Sequence, residues 1–150
     1  MPRAAAISLQ SGALPFRIDK RGRVKVLLVT TGPRGDRWGI PKGTAEPELT
    51  LCQNAVKEAF EEAGVSGTVA PHAAGSFRTT KRRGLSDRFV EVWVYLLQVE
   101  RTAEDWPEKA KRRIKWVKPE EAAEVLREPL LSRLCLELKQ MTGVTRPEPG

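Results

Sequence analysis

The segment from Gly32 to Glu48, GPRGDRWGIPKGTAEPE, is so dense in glycine and proline that neither a helix nor a strand can run far through it. The β-branched and aliphatic run RVKVLLVTT at 23–31 precedes it, and a stretch with helical spacing follows at once. In that stretch Thr50 and Gln53 form a capping box, Cys52, Ala55, Val56, Ala59 and Ala63 share one side, and Gly64 stops the helix. A strand, a long functional-looking loop and a capped helix are therefore fixed in order, and the rest of the chain must fold around them.

Further strands are expected at 3–9 and 14–18, separated by a turn, at 66–79, at 88–100 (RFVEVWVYLLQVE) and at 112–118 (RRIKWVK). Pro119 opens a helix through Leu126, and another is expected over 129–141. Strands before, between and after helices, without strict alternation, predict an α/β or α+β sandwich with a mixed sheet. With 150 residues, 40% hydrophobic and 30% charged, the chain suits one domain over 1–141, with TGVTRPEPG at 142–150 as a disordered tail. The longest uncharged apolar run, Val92 to Val99, is too short to cross a bilayer, and the N-terminus lacks a signal-peptide core, so a cytoplasmic protein without membrane contact is expected.

The two cysteines, Cys52 and Cys135, fall in helix-like segments and read as buried free thiols rather than as a disulfide or a zinc site. The single histidine, His72, argues against a histidine-based metal centre and reads as structural. The formal net charge is +7, and the basic excess gathers at 17–25, 34–42, 78–88 and 109–118. Such a surface attracts phosphate on a small molecule or a nucleic acid, or is simply solvated.

Glu58, Glu61 and Glu62 decide among these options. Their spacing puts three carboxylates on one helix face, expected opposite the alanine-rich side, where like charges cost about a few tenths of a kcal/mol per pair. Lys57, four residues before Glu61, offsets part of this, and a hard divalent cation such as magnesium offsets more, because it prefers carboxylate oxygen and shares its sphere with substrate phosphates. The glycine loop brings a backbone carbonyl, that of Gly43, within reach of the same ion, and supplies Arg37 and Lys42 as cations for the remaining phosphate charge.

The stretch GTAEPELTLCQNAVKEAFEEAGV at 43–65 resembles the Nudix box, whose pattern is Gly, five residues, Glu, seven residues, Arg-Glu, an aliphatic, any residue, Glu-Glu, any residue, Gly, an aliphatic. Gly43, Glu58, Glu61, Glu62, Gly64 and Val65 match; Leu49 stands where the first Glu belongs, Lys57 replaces Arg and Ala59 replaces a larger aliphatic residue. The resemblance implies an α/β/α sandwich with a mixed sheet and a loop–helix–loop box, and metal-dependent cleavage of a diphosphate linkage. It implies that Glu58, Glu61 and Glu62 bind magnesium, or manganese in its place, with one of them serving as base. The missing Glu is either not replaced or supplied by Glu46 or Glu48.

Beyond the box the chain is similar to diphosphoinositol polyphosphate and diadenosine polyphosphate phosphohydrolases, through Arg3-Ala4-Ala5, VLLVTT and DRW at 26–38, GVSGTV at 64–69, Glu104-Asp105-Trp106, RRIKW at 112–116 and the PEEAAEVL helix. That likeness assigns substrate phosphates to Arg3, Arg37, Arg112 and Arg113, and adds Arg78. The PKG at 41–43 departs from the triple glycine of the diphosphoinositol enzymes, which leaves ring and nucleotide substrates both open. Trp38, Trp93, Trp106 and Trp116 read as core packing rather than base stacking, and Glu91 as a low-ranking extra metal ligand. The alternatives are a hydrolase of ADP-ribose or nucleoside triphosphates, a weakly catalytic nucleotide-binding regulator, and a nucleic-acid module using Lys81-Arg82-Arg83; without a recognised RNA-binding motif the last is disfavoured. Monomer and dimer both remain open.

Overall fold

Alternation of side chains along the strands determines how the layers of this protein assemble. In β2 (Val24–Thr31), Val26 and Leu28 face one apolar cluster while Leu27 and Val29 face another, so the strand is buried on both sides. The computed structural model describes residues 7–84 and 86–144, leaving the side chains of Arg82, Arg83, Ser86 and 141–144 outside that description. Arg3 lies outside the described residues.

The other elements are β1 (Ile7–Ile18), β3 (Arg37–Gly39), β4 (Lys42–Thr44), α1 (Leu51–Ala63), β5 (Val65–Val69), β6 (Gly75–Arg83), β7 (Ser86–Thr102), β8 (Ile114–Val117), α2 (Pro119–Leu126) and α3 (Pro129–Val144). They form a mixed α/β fold in which an eight-stranded sheet has the central order β3-β2-β1-β7-β5. β1 and β7 run parallel and the remaining pairs are antiparallel. Ala55, Ala59 and Ala63 of α1 pack with Leu27, Val29 and Leu97 on one side of the sheet. Ala122 of α2 and Leu131, Leu134 and Leu138 of α3 pack with Leu28, Val92 and Val94 on the other. Each fully buried Val or Leu here contributes roughly 1.5–3 kcal/mol, which holds the two layers against the sheet.

The structure revises several expected elements. Residues 7–18 are one strand rather than two separated by a turn. Its second edge is divided: Gln10 to Gly12 pair with β4, and Phe16 to Ile18 pair with β2. Pro15, which has no N–H to donate, falls between the two ladders. Gly12 is there for close approach, because a Cβ would stand 2.7 Å from the Pro41 carbonyl oxygen and 2.8 Å from Lys42 Cβ. The 32–48 loop contains the short strands β3 and β4, and the expected strand at 66–79 is broken at Pro71 into β5 and β6, which follow one another along the same edge of β7. α3 continues to Val144, past the expected helix end at residue 141 and into the segment expected to be a tail. His72 is exposed in the β5–β6 connection rather than packed into the structure. Among the described residues no helix is long and apolar enough to cross a membrane.

Candidate active site

The box helix forms where its local sequence specifies it. Thr50 Oγ1 accepts the Gln53 amide at 3.0 Å, Gln53 Oε1 accepts the Thr50 amide at 2.9 Å, and Gly64 closes the helix in the left-handed region at φ 68°. A Cβ on Gly64 would stand 2.4 Å from Trp106 Cε3, so that indole is laid directly on the helix stop.

Two rows of residues four apart run side by side along α1. Ala55, Ala59 and Ala63 enter the core, and the neighbouring row is Asn54, Glu58 and Glu62. The acidic row therefore flanks the alanine side, contrary to the expectation that it lies opposite. Glu62 is only 3% exposed, and Glu58 is half-buried. The Glu58 carboxyl presses on β4, where a Cβ at Gly43 would stand 2.4 Å from Glu58 Cδ, so glycine is required there. Asn54, fully buried, completes the row. Its Nδ2 donates to Ser11 Oγ at 3.0 Å and to the Gly43 carbonyl at 3.3 Å, while its Oδ1 has no hydrogen-bond partner.

Burial raises the pKa of Glu62 to about 8, helped by its hydrogen bond with Glu58 and opposed by the Arg112 guanidinium. Glu62 thus keeps its proton in a hydrogen bond with Glu58, an arrangement that a cation binding at the pair would replace. Arg112 Nε lies 3.7 Å from Glu62 and 2.8 Å from Glu108, and its Nη1 donates to the Thr30 carbonyl at 2.8 Å. Lys42 donates to Gln10 Oε1 at 3.5 Å; burial and then Lys81 lower its proton affinity, while Glu62 pulls the other way.

The remaining sequence-named residues are distributed around this centre. Glu61 turns away from the pair to Lys57, 2.9 Å distant, and Lys57 also reaches Glu46 at 3.0 Å. The bonds to Glu61 and Glu46 hold the Lys57 ammonium above the usual lysine range. Arg78 pairs with Glu91 at 3.4 Å, and Glu91 also accepts the Trp93 indole N–H at 3.0 Å, so both are engaged with each other. Arg113 stands over the Trp38 ring at 5.6 Å, and Arg37 lines a separate hollow with Trp38 and the end of α2. Cys135 is buried, its thiol pushed up to about 12, and Cys52 is half-buried; both are free. Asn54 went unnoticed in the sequence because amides read as surface residues, although its place four residues before Glu58 is a usable signal.

These residues fit a hard divalent cation in one respect. Two converging carboxyls and the Gly43 carbonyl supply oxygen donors, and the proton that Glu62 retains marks a place where positive charge is lacking. Among the described residues no three acids, histidines or cysteines gather closely enough to form a metal cluster, in keeping with the diversion of Glu61 to Lys57.

A family model for the NUDIX domain matches residues 9–134, and the chain belongs to the Nudix family of pyrophosphohydrolases. Among curated proteins it is 36% identical over 119 residues to diphosphoinositol polyphosphate phosphohydrolase 3-beta of Bos taurus, covering 78% of this chain and 68% of that protein. To diphosphoinositol polyphosphate phosphohydrolase 2 of Homo sapiens it is 34% identical, covering 78% of this chain and 61% of that protein. Its fold is similar to the Ap4A hydrolase of C. elegans, with a TM-score of 0.58 at 20% identity over 89% of this chain and 96% of that one. It is also similar to the NUDIX domain of Shewanella oneidensis NrtR, solved with ADP ribose, with a TM-score of 0.61 at 18% identity over 94% of this chain and 88% of that one.

Proposed function

We propose that this Nudix enzyme uses magnesium, or manganese in its place, to hydrolyse diphosphate linkages in highly phosphorylated small molecules such as diadenosine polyphosphates or diphosphoinositol polyphosphates. The observation that carries this reading is the buried Glu62 hydrogen-bonded to Glu58, whose own carboxyl presses on Gly43, beside Arg112 and Lys42. Glu58, Glu62 and the Gly43 carbonyl would hold the ion, which when bound neutralises phosphoryl charge and favours attack by water. Glu61 supports the site through the Lys57 bridge to Glu46. Glu62, once ionised as a ligand of the ion, would be placed to take the proton of the attacking water, while Arg112 and Lys42 would stabilise charge on the departing phosphate. The relatives named for diphosphoinositol polyphosphates support a substrate with many phosphates, as does the net charge of +7.

A magnesium-dependent hydrolysis screen over diadenosine polyphosphates, diphosphoinositol phosphates, ADP-ribose and nucleoside triphosphates tests this reading. The expected result is turnover that favours the longer phosphate chains and disappears in Glu62→Gln, with the melting temperature of that variant kept or raised. Full activity in Glu62→Gln, or turnover indifferent to magnesium, would overturn it.

A further inference from the structure

Asn54 is the uncharged member of the row that continues as Glu58 and Glu62, and it is fully buried. Its amide lies over a single rung of the sheet, because its two acceptors, Ser11 on β1 and Gly43 on β4, are paired in register. A carbonyl can only accept, so the amide edge that meets Gly43 must be the NH2, and both of its protons are then used. Oδ1 is left without a partner. Such an oxygen is costly in the interior, where alanine, the residue of the adjacent row at 55, 59 and 63, buries no polar side chain. What offsets that cost is the pair of N–H bonds. The one to Gly43 meets a residue that α1 already touches, since a Cβ there would stand 2.4 Å from Glu58 Cδ. Asn54 and Glu58 are one turn apart, so a single helix face grips Gly43 at two points, its carbonyl and its Cα. β4 has only three residues, and among the described residues its ladder is with β1 alone. A carbonyl oxygen has two lone pairs, so the bond from Asn54 aims the Gly43 carbonyl and still leaves a lone pair for an ion.

We propose that Asn54 is a positioning residue for the cation site: its amide fixes the Gly43 carbonyl of β4 in relation to Glu58 of α1, so that oxygen donors from two elements are in place before a divalent ion arrives. The proposal rests on the hydrolase reading, in which Glu58, Glu62 and the Gly43 carbonyl hold the ion, and adds the residue that keeps the two walls in register. Asn54 acts through the carbonyl rather than on substrate. Ser11 is the second anchor of the same amide and ties it to β1, so the loss of the Ser11 hydroxyl alone leaves the bond to Gly43 in place.

Binding of manganese to the metal-free full chain, followed by the loss of the free ion's paramagnetic signal, tests this without turnover. Asn54→Ala should weaken manganese binding about tenfold or more, the usual loss when a residue that orients a metal ligand is removed, and Ser11→Ala by less than about twofold. Hydrogen exchange in the metal-free protein should quicken about tenfold at the β4 amides of Asn54→Ala and stay unchanged along the β1–β7 ladder. In turnover, the magnesium concentration giving half the maximal rate should rise about tenfold, with KM for substrate at saturating magnesium changed by less than about twofold. Should Asn54→Ala lose its melting transition, Ser11→Ala/Asn54→Leu replaces the polar pair by apolar side chains; it should melt near the wild-type temperature and still bind manganese about tenfold more weakly. Wild-type manganese affinity in either folded Asn54 variant, an equal loss in Ser11→Ala, or a wild-type chain that takes up no manganese would overturn the proposal. So would failure of both Asn54 variants to fold, which would make the amide a structural group only. A wild-type protein that binds manganese but hydrolyses none of the substrates screened would instead refute the hydrolase reading and leave the positioning role standing.

Discussion

Glu62 carries the sharpest consequence at the scale of single residues. In the unfolded chain its carboxyl ionises near the ordinary value of 4.5, whereas in the fold it holds its proton up to about 8. Below the lower value both states are protonated and the group is neutral toward folding. As pH rises through the window the unfolded chain ionises freely and the folded one cannot, so the metal-free protein is destabilised progressively and the full penalty is reached above the upper value. A cation held by Glu58 and Glu62 reverses this, because it binds the ionised carboxyls of the folded state. Thermal melts in chelator should therefore show a melting temperature that falls between about pH 5 and about pH 8, and added magnesium should raise it more at the higher pH. A magnesium response equal at both pH values, or one retained in full by Glu62→Gln, would contradict the assignment. The acids were legible in the sequence through their spacing alone. Burial of Asn54 and Glu62 was not, since polarity predicts exposure and nothing local announces that Gly43 has made room for a carboxyl at its Cα.

Among the elements, α1 was the most legible, because its start and stop are local chemistry: Thr50 and Gln53 satisfy one another, and Gly64 takes the left-handed turn. β1 was less so, because Gly12 and Pro15 carry the same signals as a turn. What they mark is close approach by Pro41 and a gap between two ladders, both set by residues distant in sequence. The box also shows how one element tolerates a missing part. Leu49 stands where the family pattern has Glu, and its amide donates to the Glu46 carbonyl at 3.1 Å, in a turn that delivers the Glu46 carboxylate to Lys57. If Glu46 supplies the absent function, Leu49→Glu should leave turnover unchanged or raise it by up to about tenfold, about 1.4 kcal/mol of barrier. Glu46→Gln should lower turnover, and adding Leu49→Glu to it should restore the loss. A double-variant cycle reads this coupling directly; independence of the two substitutions would leave Glu46 as an ordinary exposed ion pair, worth about 0–1 kcal/mol of stability.

For the molecule as a whole, the mixed sheet could be anticipated, but the strand order could not. The parallel pairing of β1 with β7 joins Ile7 to Phe89 and Phe16 to Gln98, contacts so far apart in sequence that no local pattern encodes them. That pairing makes β1 the spine of the protein, with β7 along one edge and β2 and β4 sharing the other. Amide protons along such a spine leave only when the entire sheet comes apart, whereas the three residues of β4 can part from β1 in a much smaller opening. Hydrogen exchange should therefore be slowest at the paired amides of β1 and β7 and faster at β4, and a magnesium-loaded protein should slow β4 more than the spine. Equal slowing everywhere would mean that β4 opens only with the whole. The two walls of the candidate site thus differ in kind: one is a helix fixed to the core through its alanines, and the other is a short strip able to breathe, so an occupant gripping both would act as a clasp on one of the shortest seams of the sheet.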